Sequence, residues 1–285
     1  VYLKNPFNYI GAKYKLLPQI LPLFPSDCEI FIDLFGGSGE VAFNTQAKQI
    51  IYNEKSSALV NIFNHLDDNF LNEVEDVISK WKLTKTSKQE FLGLRSYYNE
   101  NHKNMSEREQ AIILYCLLTH AFNYQIAFNS KGEYNMPSGA GRSYFSPQLK
   151  KKLQDYIRRK QDINIEFQSN DFVDFSIDKY PPDKTFIYVD PPYLITVGAY
   201  ERDYFCKWSE DYEHKLLAYL DELNERGYKF ALSNVLEHKG KTNEILKEWA
   251  QKYKVHYMNI DYKNCNYHTK DKSANSSTEV LITNY

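Results

Sequence analysis

A five-residue run of β-branched and aromatic side chains, Thr185-Phe186-Ile187-Tyr188-Val189, leads directly into Asp190-Pro191-Pro192-Tyr193. The run reads as a short buried strand, and the strand must stop at Asp190, because neither proline has an N–H to give to a sheet ladder. This arrangement constrains the fold more than any other stretch. It places a carboxylate, a proline carbonyl and an aromatic ring together at the carboxyl end of a strand, where open α/β sheets hold their ligands.

Such a set suits one kind of chemistry. The exocyclic amine of adenine is a poor nucleophile because its lone pair is delocalised into the ring. Two acceptors taking its two protons return electron density to the nitrogen. Asp190 and the Pro191 carbonyl are adjacent acceptors, and proline's fixed φ holds the carbonyl in place. Tyr193 offers a flat face to an unstacked base, a contact worth roughly 1–3 kcal/mol. The constellation Asp190, Pro191, Pro192 and Tyr193 therefore fits methyl transfer to an amine. Taken alone, the same four residues serve equally well as a strand-ending turn.

A second strand, Glu29 to Phe35, runs into Gly36-Gly37-Ser38-Gly39 and then a helical pattern from Glu40 through Ala47. Strand, glycine turn and helix form the first half of a nucleotide-binding βαβ unit. A third strand, Gln49 to Asn53, delivers Glu54, an acid placed to grip a ribose diol. These features do not separate NAD from S-adenosylmethionine. Upstream, Asn5 to Leu17 reads as a loop entering a helix, with Tyr9 and Lys13 flanking Gly11. Further on, Ile163 to Phe167 reads as a strand followed by Asn170-Asp171-Phe172, a carboxylate beside an aromatic ring. That pair suits the edge and face of an adenine ring, or Asp171 is simply a helix N-cap.

Between these α/β segments, residues 56 to about 160 change character. Amphipathic helices are expected over 59–63, 70–81, 87–98 and 106–122, the last opened by a Ser106-x-x-Glu109 capping box. They end in a hairpin, 123–139, whose aromatics alternate with amides. Basic clusters follow at Lys150 to Lys152 and Arg158 to Lys160; each is either a solvated helix face or a phosphate track. After Tyr193, residues 194–208 form a long loop, a candidate lid or DNA flap. A helix is expected over 211–226, a strand over 228–234, a helix over 242–253, and terminal strands over 255–260 and 279–283 that pair antiparallel. The intervening 262–277 is polar and basic, either a backbone-following strip or a disordered tip.

With 285 residues, the chain suffices for one large core or a core with a smaller lobe. No run approaches bilayer-spanning length and 1–9 lacks a signal-peptide core, so a cytosolic protein is expected. The chain starts at Val1 rather than methionine, so a few native residues are expected to precede it. Cys28, Cys116, Cys206 and Cys265 form no C-x-x-C pair, which argues for reduced thiols and against zinc. The formal charge of −2 means that any surface for a polyanion has to be local.

Together, Gly11-x-Lys13, Phe31-x-Asp33-x-Phe35-Gly36-Gly37-x-Gly39, Glu54, Gly132-Glu133-Tyr134-Asn135-x-Pro137 and Asp190-Pro191-Pro192-Tyr193 resemble the Dam-type (D12 class) DNA adenine-N6 methyltransferases, in nearly full-length order. The resemblance implies a Rossmann-like class I methyltransferase fold, with a seven-stranded mixed sheet in 1–58 and 161–285 and an inserted helical target-recognition domain in 59–160. It implies S-adenosyl-L-methionine as methyl donor, adenine flipped out of double-stranded DNA as acceptor, and no metal. It also implies a monomer in the cytoplasm of a bacterium, encoded by the bacterium or a phage and associated with the nucleoid, with a cognate restriction endonuclease as a candidate partner. Carried over by position, it puts Tyr9, Gly11, Lys13, Asp33, Phe35, Gly36, Gly37, Glu54, Asp171, Phe172 and Asp190 around the donor. It turns Asn123, Tyr124, Asn129, Lys131, Asn135, Pro137, Ser138 and Arg142 toward DNA. Relatives that methylate GATC carry an arginine where this chain has Ala127, so either a different recognised sequence is expected or the guanine contact falls to another residue. An amine methyltransferase acting on RNA or protein is the alternative that the same pocket would serve.

Overall fold

The computed structural model describes residues 1–7, 11–199, 208–259 and 277–285, and within these eight strands form one sheet. They are β1 (Ile30–Asp33), β2 (Gln49–Asn53), β3 (Ile165–Gln168), β4 (Thr185–Val189), β5 (Lys229–His238), β6 (Lys241–Thr242), β7 (Lys254–Tyr257) and β8 (Ser277–Thr283). The order is β3-β2-β1-β4-β5-β8-β7, with β6 paired to β5 off this path. The first five strands are mutually parallel, and β8 runs antiparallel between β5 and β7. The expected seven-stranded mixed sheet is present, with the two-residue β6 added.

The helices are α1 (Leu17–Ile20), α2 (Glu40–Asn44), α3 (Ser57–Asn64), α4 (Phe70–Lys80), α5 (Lys88–Asn101), α6 (Glu107–His120), α7 (Pro147–Asp162), α8 (Glu210–Glu225) and α9 (Glu244–Trp249). Alternation along the strands divides the core between the two faces of the sheet. Phe31, Ile50, Tyr52, Phe186, Tyr188 and Leu281 join one apolar cluster with side chains of α2 to α7. Ile32, Ile51, Ile187, Val189, Val280 and Ile282 join the other, with Leu216 and Leu220 of α8 and Leu246 of α9. The first cluster runs without a break from the sheet into the helices of 59–160. Helix α6 is buried on all sides from Ala111 to His120 and packs on α3, α4 and α5. Its start is capped as expected, the Ser106 hydroxyl accepting from the Glu109 N–H at 3.2 Å.

Three elements differ from expectation. Helix α2 stops at Asn44, because Thr45 is extended and the Asn44 side chain turns back to bond both Leu3 N–H and Leu3 O. Strand β5 continues to His238, carried by buried Val235 and Leu236, and turns into β6 through Lys239 (φ 50°) and Gly240 (φ 76°). Two consecutive positive φ values are the signature of a two-residue hairpin turn, and Lys-Gly is a weak sequence signal for one. The helix expected over 242–253 shortens to α9 plus a 3₁₀ turn at Ala250–Lys252. Of the two long loops, 194–199 forms a 3₁₀ turn, while 200–207 and all of 262–277 except Ser277 lie outside the described residues.

The connections after β1 and after β4 leave toward opposite faces, so β1 and β4 flank the switch point of the parallel sheet. A crevice opens there, outside the carboxyl ends of the two strands.

Candidate active site at the sheet switch point

Asp33 ends β1, in register with Tyr52 of β2 and Tyr188 of β4, and Asp190 lies two residues beyond Tyr188. The strand ends are stapled by Asn53. Its Nδ2 donates to Leu34 O at 3.0 Å and Asn170 O at 3.1 Å, and its Oδ1 accepts from Asn170 N–H at 3.2 Å. One side chain thus ties the ends of β1, β2 and β3 together. Around them lies a cleft. Gly11, Lys13, Asp33, Phe35, Gly36, Gly37, Glu54, Asp171, Phe172, Asp190, Pro191, Pro192 and Tyr193 all line it. Tyr9 lies outside the described residues.

The Asp190 carboxylate is gripped on both oxygens. Lys13 Nζ lies 2.7 Å from Oδ2, and the Tyr193 hydroxyl donates to Oδ1 at 2.9 Å. Each oxygen keeps a second lone pair for another donor. No described residue donates to the Pro191 carbonyl. Burial pushes the Asp190 pKa up against the pull of the Lys13 ammonium and the Tyr193 hydroxyl. Burial works against the Lys13 charge too, but the Asp190 carboxylate outweighs it and holds the ammonium above its ordinary range. The 2.7 Å contact favours the ionised form of the pair against the burial that opposes it. Lys13 is delivered by Glu40, a buried residue at the start of α2. Its carboxylate accepts from Asn5 N–H at 3.0 Å, Asn5 Nδ2 at 2.7 Å and Tyr14 N–H at 2.9 Å, folding the N-terminal segment over the glycine turn.

The glycine turn is shaped by contact. A Cβ on Gly36 would stand 2.2 Å from the buried Tyr52 ring, whose hydroxyl donates to Gly37 O at 2.6 Å. Gly39, at φ 71°, caps α2 in the left-handed region that glycine adopts without penalty. Gly36→Ala is therefore expected to cost about 1–3 kcal/mol through overpacking, read as a lower melting temperature. An unchanged melting temperature would show that the ring can yield.

Glu54 follows β2 and is fixed by Gly37 N–H at 3.0 Å on one oxygen and Ser56 N–H at 2.9 Å on the other. Asp171 is an N-cap and also faces the cleft. It caps a 3₁₀ turn, accepting from Val173 N–H at 3.4 Å, and it lines the cleft while Lys55 Nζ sits 2.8 Å from Oδ2. Asp33 is different. Its Oδ1 is buried and accepts no hydrogen bond, and burial, reinforced by the Asp190 charge, lifts its pKa well above the carboxylate range.

Some lining residues were not singled out from sequence, chiefly Glu40, Lys55, Trp208 and Tyr212. Tyr212 lies in the first turn of α8, and Trp208 precedes the helix's N-cap, Ser209. Trp208 stands edge-on to Phe35 with centroids 5.8 Å apart and tilted to Phe172 at 6.0 Å, completing an aromatic wall. Its indole N–H donates at 2.6 Å to buried Glu213, whose other oxygen accepts from Asn243 Nδ2 at 2.9 Å. Nothing local in the sequence announces that bond.

The residues expected to face DNA lie apart from this cleft, on the segment after α6. Antiparallel bridges join Ala121 to Ser138 and Phe128 to Tyr134. Asn123 and Tyr124 both take left-handed φ values, 55° and 54°, and turn the chain out of α6. Tyr134 and Met136 point inward, leaving Asn135 and Pro137 exposed with Asn123, Lys131 and Arg142. Tyr124, Asn129 and Ser138 are half-buried. Asn129 ties the hairpin tip, its Oδ1 accepting from Lys131 N–H at 2.9 Å and Glu133 N–H at 3.0 Å. Ala127 is buried inside the hairpin.

Among the described residues no cluster of three or more His, Cys, Asp or Glu side chains has metal-binding geometry, and no helix is long and apolar enough to cross a membrane.

Comparison with known proteins agrees with this geometry. The chain is 40% identical to the modification methylase StsI of Streptococcus sanguinis and 41% identical to the type II methyltransferase M.FokI of Planomicrobium okeanokoites, over 100% of its own length in each case. It is 33% identical, over 99% of its length, to the modification methylase LlaI of Lactococcus lactis subsp. lactis. It spans 43% of the length of each of these relatives. The model of the D12 class N6 adenine-specific DNA methyltransferases matches residues 9–264, and the chain belongs to that family.

Proposed function

We propose that this chain transfers a methyl group from S-adenosylmethionine to N6 of an adenine flipped out of double-stranded DNA. The observation that carries the reading is the convergence of Asp190, Pro191 and Tyr193 on the same cleft as Asp33, Gly37, Glu54 and Asp171. That cleft fits the donor: an unpartnered buried carboxylate oxygen at Asp33 for its ammonium, Glu54 for its ribose hydroxyls, and Asp171 with the Phe172 and Trp208 rings for its purine.

When bound, S-adenosylmethionine supplies an electrophilic methyl on a sulfonium. The protein's part is positioning and preorganised electrostatics. Asp190 and the Pro191 carbonyl accept the two amino protons of adenine, and Lys13 keeps Asp190 ionised for that role. Tyr193 stacks on the base. Asp190, whose proton affinity burial already raises, is placed to take the surplus proton. Tyr193→Phe, which keeps the ring and loses the hydroxyl's bond to Asp190, is expected to cost only a few-fold in kcat/KM. Tyr193→Ala is expected to lose the stacking, roughly 1–3 kcal/mol or about 5- to 150-fold. Equal losses in the two variants would assign the effect to the hydroxyl instead.

The helices of 59–160 with the hairpin serve as the target-recognition domain. The names of the relatives, modification methylase and type II methyltransferase, support a role beside a cognate restriction endonuclease; in this reading the protein acts as a monomer in the bacterial cytoplasm. Radiolabelled donor offered with duplex DNA, RNA and protein tests the proposal. Label in N6-methyladenine of DNA is the expected result, and label in RNA or protein alone would overturn it.

A further inference from the structure

Conspicuous in the sequence, the two basic clusters at 150–152 and 158–160 are largely engaged within the fold. Lys150 pairs with Glu75 at 2.5 Å, and Lys151 and Arg158 pair with Asp155. Arg159 donates to Phe43 O and Thr45 O, and Lys160 to Asn64 O and Leu66 O. A different set of cations remains open. Lys82, Lys85, Lys88 and Arg142 are all exposed. Among the described residues none of them forms an ion pair, and neither does Glu90, the acid nearest to the three lysines in sequence.

These four cations belong to one surface. Gly141 N–H donates to Lys85 O at 2.6 Å, and Lys85 Nζ lies 5.8 Å from the centre of the Tyr144 ring, so the lysine loop is fastened to the loop that carries Arg142. The lysine loop is held by its own side chains. Thr84 N–H donates to Ser87 Oγ at 2.6 Å, Ser87 Oγ donates to Thr84 O at 3.0 Å, and Lys88 N–H donates to Thr86 O at 2.9 Å. Helix α5, which starts at Lys88, also grips the hairpin. Arg95 Nη1 donates to Met136 O at 2.9 Å, and the Asn99 side chain bonds both N–H and O of Tyr134, at 2.8 and 3.0 Å. One rigid element therefore carries the unpaired lysines at its start and the hairpin, with its exposed Asn135 and Pro137, along its length.

We propose that Lys82, Lys85 and Lys88, with Arg142, form a sequence-independent grip on the DNA phosphate backbone beside the hairpin; this rests on the DNA-binding reading above. A chain with net charge −2 needs a local cationic strip to hold a polyanion, and unpaired, exposed cations on a braced loop release counterions without first breaking an internal ion pair.

The test compares the wild-type chain with a triple variant, Lys82→Asn, Lys85→Ser and Lys88→Gln. Asparagine is chosen at 82 because Lys82 has φ 52°, which asparagine tolerates, and the backbone bond from Gly141 to residue 85 is kept. Binding to a mixed-sequence DNA duplex is measured against salt concentration. The plot of log affinity against log salt is expected to flatten by about 0.9 for each lost phosphate contact, so by roughly 2–3 in all, with affinity falling equally on different duplexes. S-adenosylmethionine binding and melting temperature are expected to stay as in the wild type. A variant that binds DNA with the wild-type salt slope, or loses affinity for one sequence only, would overturn the proposal while leaving the methyltransferase reading intact. A wild-type chain that binds no duplex at all would overturn both.

Discussion

Asp190→Ala is expected to reduce methyl transfer by about a hundred- to a thousandfold, the scale seen when one preorganised electrostatic group is removed from an active site. The carboxylate is assigned half of the hydrogen bonding that makes the adenine amine nucleophilic, and the Pro191 carbonyl cannot accept both protons in the same geometry. The substitution also strands Lys13, whose ammonium is 2.7 Å from the carboxylate in a site where the lysine side chain is 7% exposed. Removing one partner of a buried pair typically costs about 3–5 kcal/mol, so a folding defect must be separated from a chemical one. Lys13→Met in the same background removes the stranded charge. Asp190→Ala with Lys13→Met is expected to regain most of the lost melting temperature and none of the activity. Recovery of turnover in the double variant would mean that Asp190 acts only by pairing with Lys13. Asp190→Asn, which keeps an acceptor oxygen, is expected to fall between wild type and Asp190→Ala.

The second large effect is expected at Asp33, with opposite signs on binding and on stability. Its buried Oδ1 has no partner, so the ionised carboxylate is held at a cost that the donor's ammonium would relieve. Asp33→Asn is expected to weaken S-adenosylmethionine binding by about 10- to 150-fold, the loss of a charge-assisted bond worth roughly 1.5–3 kcal/mol, and to raise the melting temperature of the donor-free protein. The pH dependence follows from linkage. Burial raises the pKa of Asp33 in the folded state, so across the window above its unfolded value near 3.9 the native state binds more protons than the unfolded one. Stability contributed through this group is therefore complete at acid pH and is lost as pH rises through the shifted pKa. Denaturant unfolding of donor-free wild type and Asp33→Asn should accordingly diverge with rising pH, the variant gaining the advantage. A stability difference that stays constant from about pH 4 to neutrality would show that Asp33 is not held against its charge.

Some residues of this site were legible because their signals are local. A strand that ends at two prolines places Asp190 wherever the strand goes, and an acid directly after a β-branched run, as at Glu54, inherits the strand's end. Asp171 beside Phe172 is the same case. The glycine turn was legible as a turn, but the reason for Gly36 was not. That reason is the Tyr52 ring on the neighbouring strand, and it exists only once β1 and β2 pair in register. The helix pattern of 59–160 was readable from periodicity, whereas the continuity of its core with the sheet through Phe63, Tyr115 and Tyr156 was not.

Pairings between distant residues were invisible before folding. Lys13 meets Asp190, Glu40 meets Asn5 and Tyr14, and Trp208 is aimed by Glu213, which is itself held by Asn243. The basic segments show the same limit most plainly. Sequence composition points to 150–152 and 158–160, yet the packing of α7 against Glu75 and the carbonyls of 43, 45, 64 and 66 engages most of those charges and leaves 82, 85, 88 and 142 open. By itself the sequence determined the seven main strands and the carboxylates at their ends, since these depend on neighbours one to four residues away. Which cations meet an acid and which carboxylate oxygen is left without a partner was decided only by tertiary structure, because Coulomb energy and desolvation depend on distance and burial that chain order does not contain.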